Sequence, residues 1–248
     1  MTLMARMRRG AVVVLACAAV LSARDKKDKP KLASPEIDSG SFGVFVKGQR
    51  VVTETFSIEQ SNGNTIIKAH LKETSGADQT TQKSSLEITA SGELIRYEWS
   101  ASTGDSLVLL PDNEILIEKI TTPSSAKPVE QRFILPSVSP ILDNNFFVHR
   151  EVLAWHYLAV APCSGEGSNR QCQPLDFGAV VPQSRVSMPV RLELVGREKV
   201  LIRGTERELL RLNLKGDEFT WALWLDDKDQ FKLMRVLIPD DNTEVVRD

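Results

Sequence analysis

The sequence predicts a mainly β fold of the α+β kind, a large curved antiparallel sheet or half-barrel with one helix packed on it. Three observations carry this. Short runs of alternating apolar and polar residues recur from Ser41 onward, Gly, Asn, Asp or Pro closes the runs, and one stretch, 146–158, abandons the period of two.

Taken in chain order, Val52, Phe56 and Ile58 alternate with Val51, Thr53, Thr55 and Ser57. After the turn Ser61-Asn62-Gly63-Asn64, Ile67, Ala69 and Leu71 alternate with Lys68, His70 and Lys72. Successive side chains of a strand point to opposite faces, so such alternation describes a sheet with one dry and one wetter face. Ser91-Gly92 leads into Ile95, Tyr97 and Trp99 against Arg96 and Glu98, and further runs cover 106–110, 114–121 and 129–135.

The stretch from Phe146 to Leu158 has no Gly or Pro, and Asp143-Asn144-Asn145 before it offers an Asx residue as N-cap. At about 100° per residue Phe147, Val148, Ala154, Trp155 and Leu158 share one face with Val152 beside it, so that face is expected on the sheet. Arg150 and Glu151 fall outside the densest part of the stripe.

The clearest hairpins lie near the end. Leu210, Leu212 and Leu214 oppose Arg211, Asn213 and Lys215; Gly216-Asp217 then turns the chain into Phe219, Trp221, Leu223 and Leu225. Asp226 to Asp229 turns it again into Phe231–Ile238, and Pro239 stops that strand.

Ahead of the sheet, Arg6, Arg8 and Arg9 precede an apolar run from Gly10 to Leu21 that ends in Ser22-Ala23. The run is shorter than the roughly 20 residues a membrane span needs, and 1–23 reads as a cleavable secretory signal. The alternatives are a retained N-terminal anchor and lipidation at Cys17. All three place the bulk of the chain outside the cytoplasm, in the periplasm or cell envelope, membrane-proximal at most. Residues 24–40 are charged and proline-containing and read as a flexible spacer, with a single β-rich domain over 41–248.

The whole chain carries 31 Lys plus Arg against 33 Asp plus Glu, which excludes a strongly basic nucleic-acid binder. Removing the leader takes away three basic residues and no acidic one, moving the formal charge from −2 to −5. The two remaining cysteines, Cys163 and Cys172, sit in the loop-like stretch from Pro162 onward, and an exported setting favours a disulfide between them. A two-thiol metal site would need further ligands, and none of the three histidines lies in this loop.

No local signature assigns catalytic, cofactor or metal residues: there is no Gly-x-Ser-x-Gly elbow, His-Glu-x-x-His, phosphate-cradling glycine loop or Cys-x-x-Cys. His149 and His156 are two helical turns apart, about 10.5 Å along the axis, too far for one metal ion. They read as residues at the helix margin bonded to backbone or water, and His70 as a solvated strand residue. Trp99, Trp155, Trp221 and Trp224 read as core or sheet cover. The sharper alternative is an apolar cavity between curved sheet and helix, lined by Phe147, Trp155, Leu158, Trp221 and Trp224, although Trp221 and Trp224 point to opposite faces of one strand.

Over residues 186–238 the run Val190–Thr205, then Leu209–Leu214, Phe219–Leu225 and Leu233–Val236, resembles exported bacterial proteins grouped as domains of unknown function. Their architecture is similar to that of the periplasmic lipoprotein-carrier family, an antiparallel half-barrel wrapped around helices with an apolar interior. The resemblance brings no catalytic residues and implies a non-catalytic binding module for a lipid, an acylated segment or another apolar partner. The alternatives are an envelope interaction or assembly protein with a closed core, and an enzyme.

Overall fold

A computed structural model describes residues 36–74, 79–125, 127–165 and 170–248 of the chain. The stretch expected as a secretory signal, Cys17 and the first part of the expected spacer lie outside the described residues.

Fourteen antiparallel strands form one open sheet with a simple rule of succession. The chain lays down β1 (Glu36–Val46), β2 (Gln49–Ser61), β3 (Asn64–Glu73), β4 (Thr81–Thr89), β5 (Leu94–Ala101), β6 (Ser106–Asp112), β7 (Ile115–Thr121) and β8 (Val129–Phe133) side by side. The helix α1 (Val148–Val160) follows, then a two-stranded ribbon, β9 (Cys163–Ser164) and β10 (Gln171–Cys172). A second meander comprises β11 (Leu175–Val181), β12 (Val186–Ile202), β13 (Thr205–Lys215), β14 (Thr220–Asp226), β15 (Lys232–Ile238) and β16 (Thr243–Arg247). Strand β16 pairs with β1, so the two ends of the described chain meet inside the sheet, while β8 and β11 form its edges.

Each hairpin follows from its turn. Asn62 and Gly63 both have positive φ, 54° and 84°, the geometry of a two-residue hairpin whose twist matches the strands it joins. Strand β1 begins at Glu36, inside the stretch expected as spacer, because β2 is long enough for Glu36–Ser41 to pair with Thr55–Glu59. The register shifts at Glu36/Asp38, Val44/Phe45, Glu87/Ile88, Leu194/Gly196 and Trp224/Leu225 bend the strands and help the sheet curve around α1. The segment after β8 reaches the opposite edge, where Ile141 bridges Val180 and Leu142 N–H donates to the Val180 carbonyl at 2.8 Å.

The main core lies on the concave face, where inward residues such as Ile58, Ile67, Leu109, Leu212 and Val236 meet α1 side chains including Leu153 and Tyr157. Each large apolar side chain buried there contributes about 1.5–3 kcal/mol. A smaller cluster, Val200, Ile202, Leu209, Ala222, Trp224 and Val246, lies apart from it.

Helix α1 starts two residues later than expected and is not capped by the Asx run. Its N-cap position is Phe147, with no side-chain cap of its own. Instead Glu54 on β2 accepts the N–H groups of Phe147 and Val148 at 2.7 and 3.1 Å. Asp143 forms a local turn, accepting from Asn145 N–H at 2.7 Å. At the other end Arg170 donates to the Leu158 carbonyl at 3.0 Å. A carboxylate at the N-terminus and a guanidinium at the C-terminus both complement the helix dipole, and both come from elsewhere in the fold.

Candidate functional site

Helix α1 carries two different faces. Glu151, Ala154 and Leu158 lie on one, packed toward the C-terminal strands. His149, Val152, Leu153, His156, Ala159 and Val160 follow the i, i+3, i+4, i+7 spacing that places residues on a single stripe, and all six line a groove between α1 and β3–β5.

The helix has an unexpectedly polar interior. His149, Arg150 and Glu151 are all fully buried, although the sequence pattern placed the first at the helix margin and the other two outside the apolar stripe. Glu151 shares the face of Ala154 and Leu158, the curved sheet covers the flanks that His149 and Arg150 occupy, and the burial of Arg150 and Glu151 is compensated by hydrogen-bond partners. Arg150 donates to the Phe146 carbonyl at 2.6 Å and also to that of Asp143. Its guanidinium lies over the rings of Phe147 and Trp221 at 4.9 and 5.1 Å. Arg247 donates to both Asp38 oxygens at 2.7 and 2.6 Å and to Glu151 at 3.1 Å, and Glu151 also accepts from Leu233 N–H at 3.0 Å.

The two carboxyl groups around Arg247 are driven apart. Burial pushes Asp38 up, but its bonds to Glu151 and Arg247 outweigh that and hold it below the usual range. Burial and the neighbouring Asp38 raise Glu151 well above it. One negative charge therefore faces the Arg247 cation, and Lys232 lies 3.5 Å from Asp38. Glu54 and Glu118 are each raised to about 7, both chiefly by burial.

The groove is the second feature. Its volume is about 470 Å³, within the range of small-ligand sites. Its walls include Ile37, Leu86, Ile88, Leu94 and Ile141 with Val152 and Trp155 of the helix; its polar atoms come from Thr65, Thr89, Ser91, Ser139, His149 and His156. No Lys, Arg, Asp or Glu is among the described residues that line it. Val138 and Val160, 42% and 51% exposed, stand at its rim.

His149 is 1% exposed, and neither ring nitrogen has a hydrogen-bond partner among the described residues. The Tyr97 and Phe146 rings pack against it at 5.7 and 6.0 Å. Burial, followed by the Arg150 charge, lowers it to about 3, so the imidazole is neutral at ordinary pH. Burial lowers His156 as well.

Comparison with known proteins adds one likeness. The crystal structure of a DUF1089 family protein from Pseudomonas aeruginosa is similar over 73% of this chain and 87% of that chain, at 12% identity and a TM-score of 0.43. No protein-family model and no curated protein matches the chain. A likeness of this size leaves the function to be argued from the site itself.

Of the five side chains expected to line an apolar cavity, Trp155 does so, with its Nε1 donating to the Phe231 carbonyl at 2.9 Å. Phe147 and Leu158 are instead buried in the main core, on the other side of the helix from the groove stripe. Trp221 packs against Phe219 and beneath Arg150, away from the groove. Trp224 belongs to the smaller cluster, because three positions along a strand reverse the face; Arg211 and Arg235 lie over its ring at 5.6 and 4.9 Å.

Cys163 and Cys172 are joined by a disulfide that clamps β9 to β10 beyond the C-terminus of α1. Among the described residues no cluster of His, Cys, Asp and Glu could hold a metal ion, and no helix is long and apolar enough to cross a membrane. Sequence reading missed His149 as a groove residue; the available signal was its i, i+3, i+7 relation to Val152 and His156.

Proposed function

We propose that this protein is a non-catalytic binding module of the cell envelope that holds a lipid or acyl chain in the groove between α1 and β3–β5. The observation that carries the reading is the groove itself: about 470 Å³ of space walled by aliphatic side chains and Trp155, with apolar valines at its mouth. Enclosing one methylene of a chain there gains about 0.8 kcal/mol. The basic, apolar leader and the Cys163–Cys172 disulfide support an exported setting in which such a carrier would work.

The test is to titrate the full chain with Nile red, an uncharged apolar dye, and to analyse organic extracts of natively purified protein by mass spectrometry. A saturable dye site, displaced by lipid and weakened at least about tenfold by Val152→Trp, supports the reading. Absence of both a saturable dye site and a stoichiometric apolar species overturns it.

A second reading, an envelope assembly protein that works through its sheet edge, is favoured by Ile134. It is 91% exposed directly after the edge strand β8, which also presents Val129 at 51%. Site-specific crosslinking from position 134 in intact cells is expected to recover one discrete partner under this reading, and none if it is wrong.

A further inference from the structure

The lining of the groove is graded, and on the reading that it holds an apolar chain the gradient sets which way round that ligand lies. The floor is closed and apolar, built from Leu86, Leu94, Ile141 and Leu153, all of them buried. The mouth is open. There the β4–β5 turn, with Ala90 and Ser91 exposed, lies against the last turn of α1, where Ala159 and Val160 are exposed.

Hydrogen-bonding side chains gather at this mouth. Gly92, at φ +85°, lies so close to the helix that a Cβ on it would stand 2.8 Å from His156 Nδ1, so the missing side chain lets the imidazole seat against the turn. Just before it, the Thr89 and Ser91 hydroxyls share a hydrogen bond of 2.8 Å, and Thr89 also accepts from Glu93 N–H at 3.1 Å. His156 is half-buried, packs beside Phe177 at 5.6 Å, and its ring makes no hydrogen bond among the described residues. A neutral imidazole presents one donor and one acceptor, and a hydroxyl presents both. A polar head group on the apolar floor loses its water without such partners, whereas at the mouth it meets them.

We propose that the groove takes a single-chain amphiphile tail-first, with the chain on Leu86, Leu94, Ile141 and Leu153 and a hydroxyl or ester head at the mouth, hydrogen-bonded by His156 and Ser91. These two side chains then determine specificity for the head group. A charged head gains no ion pair there, because no Lys, Arg, Asp or Glu is among the described lining residues. Ser139, the one hydroxyl among the buried lining residues, takes no part.

The experiment measures displacement of Nile red from the full chain at pH 7 by 1-decanol and by decane. His156→Phe is expected to weaken 1-decanol about tenfold and Ser91→Ala about threefold, with decane within about twofold in both. Ser139→Ala is expected to leave 1-decanol within about twofold of the wild type. A 1-decanol analogue with a diazirine at its methyl end is expected to label the floor residues on irradiation, and not Ser91 or His156. An unchanged 1-decanol affinity in His156→Phe, a loss in Ser139→Ala, or label concentrated at the mouth would overturn the orientation and leave apolar binding intact. Failure of the dye and of both ligands to bind would instead overturn the groove reading on which it rests.

Discussion

The two flanks of α1 treat buried polar groups in opposite ways. Toward the C-terminal strands, Glu151 accepts from Leu233 N–H and from Arg247, and Arg247 also holds Asp38. Toward β3–β5, His149 is buried beside the groove against two aromatic rings, with no hydrogen-bond partner among the described residues. The first flank is a joint between helix and sheet, and the second is the wall of a cavity. Truncating a group in a joint strands its partners, whereas replacing an unpaired group removes a penalty the fold already carries.

The largest effect is expected on the joint. Arg247→Met leaves Lys232 as the one cation near the buried Asp38 and removes the Arg247–Glu151 contact, so stability at pH 7 is expected to fall by about 3–5 kcal/mol in urea denaturation. A loss below about 1 kcal/mol would mean that the two flanks do not differ as described.

A smaller effect of opposite sign is expected on the cavity wall. His149→Phe should leave the protein at least as stable at pH 7 as the wild type, and more stable in acid. The sign follows from the depressed pKa. Between about 6.5 and about 3 the unfolded chain takes up a proton on this histidine that the folded protein refuses, so the wild type loses stability as pH falls through that window. Urea midpoints of both proteins at pH 7 and pH 5 test this; a variant that loses as much stability on acidification as the wild type would count against a neutral, unpaired His149.

The smallest effect is expected from Val152→Ala. The methyl groups it removes already face open space, so no new enclosed cavity forms, and the cost should stay under about 1 kcal/mol, against about 2–5 kcal/mol for deleting a fully packed aliphatic side chain. A cost in the packed range would show the groove to be filled in solution.

Much of the sheet was legible in the sequence, because alternation and turn chemistry are local. Asn62-Gly63 places one hairpin, the alternation of Leu210, Leu212 and Leu214 places β13, and β15 ends at Ile238, immediately before Pro239. The helix was legible as an apolar, Gly- and Pro-free stretch, but its cap was not. The Asx residues before it looked sufficient, while the group that caps it, Glu54, stands 93 residues upstream. Phe147, Trp155, Leu158, Trp221 and Trp224 were grouped by apolarity, and of these Trp155 lines the groove, because the face each one occupies is set by packing.

The sequence by itself determined the strand periods, the hairpin turns and the helical stretch, and it favoured the pairing of Cys163 with Cys172. Each of these depends on residues within one hairpin or a few helical turns of one another. Only the tertiary structure decided which charges are buried. Asp38 and Arg247 are separated by 209 residues and meet because β16 pairs with β1. Their meeting makes a polar joint tolerable inside an apolar half-barrel, since a buried charge is stable only beside its partner. The unpaired state of His149 has the same origin, because no local rule states what the far wall of a groove will offer it.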